Sequence, residues 1–249
     1  MKQAVLEVLS AGACLYLPGR DAGIFSDDDG DGFRGARVRS LVMIANTRRT
    51  LIRVRSIPAS WIETDVGCDA EWEMIKELFP FGEKINENTY VFDYTVFENH
   101  SGTKIALIVA LPVSFSERAV KIGKCITGSA SHLVSLDFVE NLLIQKFAAL
   151  SQSGDSFLVL LSQDGGIRLM TVSDGLPGDV FFISNHPAFR MQEFMRFWDD
   201  KVSPLLPGLE VVLYTAEADD PENFLWLFDV CDGLGVRIKR NDFSLPLLC

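Results

Sequence analysis

At 249 residues, 48% of them hydrophobic and 23% charged, the chain has material for one large globular domain or two modest ones. Its net charge of −11 argues against nucleic acid as a partner, because phosphate binding needs a concentrated positive surface. The five cysteines (Cys14, Cys68, Cys125, Cys231, Cys249) are odd in number and scattered, which suits a reducing compartment better than a disulfide framework.

From the N-terminus, Met1-Lys2-Gln3 leads into a short β-like run, Ala4–Leu9, that contains Glu7 and is no signal peptide. A second run, Ala13–Leu17, follows a turn at Ser10-Ala11-Gly12. Gly19 to Gly35 reads as a polar loop in which two motif matches overlap. Gly30, Gly32 and Gly35 fit a dinucleotide fingerprint, but they follow three aspartates and precede a strand, so the helix N-terminus that would meet a pyrophosphate is missing. Asp27, Asp29, Asp31 and Gly32 fit the opening of a calcium loop, but its twelfth position is Val38 rather than a bidentate carboxylate.

A strand is predicted at Val38–Ala45, a turn at Thr47–Thr50 and a strand at Leu51–Ile57. The strand period places Ile52 and Val54 on one face and Arg53 and Arg55 on the other. These two arginines belong to a run of seven between residues 34 and 55 that contains no acid. Arg53 and Arg55 are therefore candidate partner-binding residues for an acidic segment, the alternative being that the arginines pair with neighbouring carboxylates.

Glu71–Phe79 predicts a short helix stopped by Pro80. Residues 89–135 form a compact group: strands Thr89–Phe97 and Lys104–Leu111, then a helix with Phe115, Ala119, Ile122 and Ile126 on one face, then a return strand at Ser131–Ser135. Leu136–Leu150 predicts a helix too apolar for a surface, and Ser151–Gly154 a boundary. Beyond it come apolar runs at Phe157–Leu161, Ile167–Val172 and Val180–Ile183. A helical pattern through Phe194 and Trp198 is followed by a strand at Leu209–Tyr214. A second helical pattern through Phe228 and Cys231 is bracketed by Asp220 at the N-cap, Pro221 at N1 and Gly233 past the end. A final strand covers Val236–Lys239, giving the order β-β-β-α-β-α-β. Cys125 and Cys231 fall at core positions of helical patterns.

No apolar run reaches the roughly 20 residues needed to span a bilayer. The chain ends on the apolar Leu245–Cys249, as a longer protein cut at this point would. Catalytic motifs are absent: no Walker A, H-E-x-x-H, C-x-x-C or G-x-S-x-G occurs. His100, His132 and His186 are too dispersed for a metal site by spacing, and His186, before Pro187 at a helix entrance, reads as structural. The expectation is no catalytic residue, no metal and no cofactor.

With this order in hand, the chain resembles the actin-like proteins of type IV pilus assembly and type II secretion, the PilM and GspL kind. Ser40–Pro58 resembles their strand–turn–strand running to Leu-Pro. Glu77–Phe81 and Val91–Tyr94 look like their "LPF … DY" segment. Ile105–Val113, the helix reaching Lys121-Ile122-Gly123, and Val134–Asp137 are similar to their inserted small subdomain.

The resemblance implies an α/β, actin-like (ribonuclease H-like) two-lobed fold with a small inserted α+β subdomain. Residues 1–150 would form the first lobe, including the small subdomain at about 89–135, and residues 151–249 the second. Nucleotide-binding members of the family carry an Asp-x-Gly turn at the hairpin opening each lobe and a glycine turn on the adenine side. Here the first turn, Ser10–Gly12, lacks the acid, and the second, Ser162–Gly166, has Asp164 adjacent to Gly165 and Gly166. The adenine-side turn, Thr215–Asp219, has no glycine and carries Glu217 and Asp219. Asp164, Gly165, Gly166 and Glu217 are thus read as degenerate nucleotide turns.

The implied function is a non-catalytic scaffold at the inner face of a bacterial inner membrane. Its partners would be a secretion or pilus motor ATPase and inner-membrane platform proteins, with membrane contact only indirect or through a segment after Cys249. The alternatives are an actin-fold ATP-binding protein of pilus assembly with a functional site, and an α/β protein outside this family.

Overall fold

The computed structural model describes residues 4–17, 23–26, 38–57, 89–129, 133–151, 154–215 and 221–240. Among these residues three sheets carry the architecture. The first contains β1 (Ala4–Leu9), β2 (Gly12–Tyr16), β3 (Gly23–Ser26), β4 (Leu41–Ala45) and β8 (Leu133–Phe138), in the order β3-β2-β1-β4-β8. The second contains β9 (Ser156–Gln163), β10 (Gly166–Ser173), β11 (Leu176–Ser184), β12 (Leu209–Tyr214) and β13 (Ile238–Arg240), in the order β11-β10-β9-β12-β13. The plans are the same: an antiparallel meander of three strands, then two strands added parallel by crossovers. A small antiparallel sheet joins β5 (Leu51–Ser56), β7 (Lys104–Pro112) and β6 (Tyr90–Glu98) in that order.

Helix α1 (Val113–Thr127) buries Phe115, Ala119, Gly123 and Ile126 on one stripe against β4 and β8. Helix α2 (Val139–Ser151) is apolar on most of its circumference because it lies between the two large sheets. It packs against β8 on one side and against β9, β10 and β11 on the other. Phe147 of α2 meets Phe157 of β9 with ring centroids 5.0 Å apart. One continuous core therefore runs from Leu6 and Ile44 through Leu143 and Phe147 to Val159, Leu161 and Met170. The alternate residues of β9 and β10, Leu158, Leu160, Ile167 and Leu169, face a second core under α3 (Arg190–Phe197) and α4 (Leu225–Gly233). Being covered on both faces explains why β9 is buried at all eight positions and why its middle, Phe157–Leu161, reads as an unbroken apolar run.

The structure departs from the sequence expectations at several points. The stretch expected to be a loop contains β3, paired antiparallel to β2. Leu136–Phe138, expected to open a helix, instead ends β8, so the buried helix begins at Val139. The small sheet gains β5, while β8 joins the first large sheet, so the compact group has a different membership from the expected 89–135. Cys125 is exposed rather than in the core. Cys231 is buried, and burial pushes its thiol pKa up to about 12. A 3-10 turn at Pro221–Phe224 precedes α4, whose last residue is Gly233. The predicted helix at 71–79, the glycine- and aspartate-rich motifs at 27–35, His132 and Asp220 lie outside the described residues.

Candidate functional site

Strands β1, β4, β9 and β12 end on the same edge of the core, and a chain of polar side chains joins them there. Glu7, in the middle of β1, accepts bonds from Tyr16 Oη (2.8 Å) and Asn46 Nδ2 (2.8 Å) and a longer one from Tyr214 Oη (3.5 Å). Gln163, the last residue of β9, donates Nε2 to Asn46 Oδ1 (3.2 Å) and to Glu140 Oε1 at the start of α2 (2.8 Å). Arg168 of β10 donates Nε to Gln163 Oε1 (2.8 Å) and lies 3.3 Å from Glu140 Oε1. Its Nη2 crosses to the β4–β5 turn, donating to Thr50 O (3.1 Å) and Arg48 O (3.4 Å). The result is one hydrogen-bonded path from the first sheet to the second.

Burial makes this path energetically weighty. Glu7 and Glu140 are 0% exposed and Arg168 is 5% exposed, so their mutual satisfaction is what makes their charges tolerable away from water. Burial raises the pKa of Glu140 above the usual carboxylate range, and the Arg168 guanidinium only partly offsets it. Burial likewise lowers the pKa of Arg168, with Glu140 opposing the shift. Both directions say the same thing: desolvation outweighs the pairing. Glu140 Oε2 has no hydrogen-bond partner among the described residues.

The two hairpin turns that border this edge are built differently. Ser10 and Ala11 join β1 to β2, and the Arg118 guanidinium of α1 straddles them, donating to Leu9 O (2.6 Å) and Gly12 O (3.3 Å). Ser10 Oγ and Thr47 Oγ1 share a 2.7 Å bond. Asp164 and Gly165 join β9 to β10. Gly165 has φ +72°, a left-handed conformation that side chains disfavour. At Gly166 a Cβ would collide with the Ile183 backbone carbonyl and the Phe182 ring. Asp164 Oδ2 is buried without a partner among the described residues. An Arg48 Nη1 from the other sheet's loop lies 3.4 Å from where a Gly165 Cβ would sit.

Asp164, Gly165 and Gly166 therefore sit together at this edge, whereas Glu217 lies outside the described residues. Arg53 and Arg55 are elsewhere, on the edge strand β5 of the small sheet, half-buried and exposed respectively. Sequence reasoning missed Glu7, Glu140 and Arg168 as a group. The available signal was a lone charge in a mainly apolar strand for Glu7 in Ala4–Leu9 and Arg168 in Gly166–Val172, whereas Glu140 shares Val139–Phe147 with Asn141, Gln145 and Lys146 and leaves no such signal. Among the described residues no three His, Cys, Asp or Glu side chains gather into a group that would hold a metal ion. No described helix is long and apolar enough to cross a membrane.

No protein-family model and no curated protein sequence matches the chain. Solved structures do. A Bacteroides thetaiotaomicron VPI-5482 protein with actin-like ATPase fold and unknown function aligns over 99% of this chain and 94% of its own, at 12% identity and TM-score 0.58. PilM in the PilM–PilN type IV pilus biogenesis complex aligns over 97% and 88%, at 14% identity and TM-score 0.55. The cytoplasmic domain of EpsL, an inner-membrane component of the Vibrio cholerae type II secretion system, aligns over 98% and 92%, at 11% identity and TM-score 0.53. Identities this low speak for the fold, and the fold of this chain is the actin-like ATPase fold.

Proposed function

We propose that the chain is a non-catalytic scaffold of a type II secretion or type IV pilus inner-membrane platform. In this reading, residues 1–150 and 151–249 act as two lobes held in one fixed arrangement. The scaffold sits at the inner face of the bacterial inner membrane and links a motor ATPase to membrane components.

One observation carries the reading. The edge where an actin-like protein would meet nucleotide is occupied by the chain's own Glu7–Asn46–Gln163–Glu140–Arg168 path. The buried cation there is already committed to Glu140, Gln163 and two backbone carbonyls, and both buried carboxylates would oppose a triphosphate. Arg118, bonded across the first turn, ties that turn inward. These residues do not suit a triphosphate. The likeness to PilM and to the EpsL domain supports the choice of machine.

A second reading, an ATP-binding actin-like protein, draws support from the second turn alone. Gly165 keeps its left-handed backbone there, and the Arg48 guanidinium lies over it.

Affinity capture of the tagged full chain from the detergent-solubilised membranes of its host tests the scaffold reading. It should recover the motor ATPase and platform proteins of one secretion or pilus system, in amounts unchanged by added ATP. Recovery of neither, together with nucleotide retained on the purified chain, would favour the second reading.

A further inference from the structure

We propose that the start of α3, where Arg190 lies over Trp226, binds a carboxylate set beside apolar side chains in a peptide segment of a partner protein. The site belongs to the face of the second sheet turned away from α2. It stands apart from the polar path at the nucleotide edge, so its test fails separately from nucleotide titration.

Two adjacent donors here lack acceptors. Trp226, in the first turn of α4, is 8% exposed, and its Nε1–H is buried without a hydrogen-bond partner. The ring itself is fixed: Phe194 of α3 meets it edge-on, with centroids 6.0 Å apart. Arg190 stands one turn before Phe194 on the same face of α3, and its guanidinium carbon lies 5.0 Å from the centre of the Trp226 ring. That side chain is half-buried, and among the described residues it makes no hydrogen bond and no ion pair. The ring face attracts the cation's charge but leaves its N–H groups unpaired. An indole N–H and a guanidinium are both donors, so neither can satisfy the other.

The α3 backbone adds to the same polarity. Arg190 N–H is taken by His186 O (3.1 Å) and Glu193 N–H by Phe189 O (2.9 Å), and no side chain caps the helix. The Met191 and Gln192 N–H groups between them have no acceptor among the described residues.

An anionic acceptor with two oxygens completes this set. A neutral carbonyl could take the indole N–H but would leave the guanidinium charge unanswered. A carboxylate gives one oxygen to each donor, and two hydrogen bonds of about 2.9 Å each span a separation of this size. Nε1 is reached when the guanidinium swings off the ring face toward the carboxylate. Binding thus exchanges a cation–π contact for a charge-assisted hydrogen bond. The rim selects what carries the carboxylate. Phe189 (57% exposed) and Leu225 (55% exposed) immediately precede Arg190 and Trp226 in the chain. They reward apolar side chains next to the carboxylate, whereas a free inorganic anion gains nothing from them.

The probe is acetyl-Phe-Glu-Leu-amide, titrated into the full chain carrying nitrogen-15 tryptophan, with the indole N–H signals followed by NMR. The chain has four tryptophans, and W226F identifies the Trp226 signal. The glutamate peptide should move that signal downfield and saturably in the millimolar range, as Nε1–H gains its acceptor. Acetyl-Phe-Gln-Leu-amide and inorganic phosphate should leave it in place at the same concentrations. R190Q should weaken the glutamate peptide at least about tenfold, through loss of the charge-assisted bond. An unmoved Trp226 signal with the glutamate peptide, an equal shift with the glutamine peptide or with phosphate, or undiminished binding by R190Q each overturns the proposal. The glutamine-peptide and phosphate arms use the unaltered protein, so they decide the matter whether or not R190Q folds.

Discussion

The two hairpin turns at the sheet ends occupy the same place in the same five-stranded plan, yet the first is tied in by side chains and the second by backbone, Asn185 N–H donating to Gly165 O (2.8 Å). Ser10–Ala11 is held by Arg118 from α1 and by Thr47, so its two flanking carbonyls point at an internal cation. Asp164–Gly165 keeps a left-handed glycine, a buried carboxylate oxygen without a partner, and a guanidinium from the facing loop. A grip on phosphate from two sides needs both turns to offer backbone N–H groups to the same ligand. The first turn's flanking carbonyls and the Arg168 guanidinium have internal partners, whereas Asp164 Oδ2 at the second turn has none among the described residues.

The largest expected effect tests whether Arg168 is part of the structure in this sense. R168M removes the cation and leaves the Glu140 carboxylate, Gln163 Oε1 and the Thr50 carbonyl buried without it. The loss should be about 3–5 kcal/mol of unfolding free energy, measured by urea denaturation. A loss below about 1 kcal/mol would mean that the path is not a structural joint between the sheets.

The second turn can be broken sterically. G166A drives a Cβ into the Ile183 carbonyl, a backbone atom that cannot step aside, and should cost about 1–3 kcal/mol. At the first turn, R118A should cost about 1 kcal/mol, because Arg118 is only half-buried and water can take over the freed carbonyls. If R118A also produced measurable ATP binding, the tie on the first turn alone would be what keeps nucleotide out.

The smallest effect is a pH slope. The pKa of Glu140 is raised in the folded state, so the folded protein holds its proton more tightly than the unfolded chain. The stability this contributes is complete below the unfolded value near 4.5 and is lost as pH rises through the folded value. E140Q has no such proton to lose. Its melting temperature relative to wild type should therefore climb as pH rises from 4.5 through the folded pKa. A difference that stays flat, or falls, would contradict the sign.

Much of this fold is visible in the sequence because burial on both faces leaves an unmistakable trace. Phe157–Leu161 is apolar throughout and Ile167–Val172 is apolar except for Arg168 and Thr171, and the structure covers both with α2 on one side and α3 and α4 on the other. Elements with less to bury leave weaker traces. β3 is the four residues Gly-Ile-Phe-Ser in a stretch rich in glycine and aspartate, too short for a period to show. β8 runs into α2 without an intervening polar residue that would mark a cap, so Phe138 reads as helix although it closes a strand.

The polar path was less legible for a different reason. Glu7, Glu140 and Arg168 are brought together only when the first sheet, the helix between the sheets and the second sheet are assembled. Glu7 and Arg168 each look in isolation like a lone charge misplaced in an apolar run, and Glu140 like an ordinary polar position near a helix start. Two such misplacements in one chain of this size are better read as calling for partners than as separate accidents, because a buried charge without a partner is too costly to keep.

The central claim, that the nucleotide edge of this actin-like fold is occupied by the protein's own side chains, is tested most directly by calorimetric titration of the full chain with ATP and magnesium. The account predicts no heat of binding below millimolar nucleotide, for the wild type and for E140Q alike. A micromolar dissociation constant for the wild type, with stoichiometry near one, would contradict it.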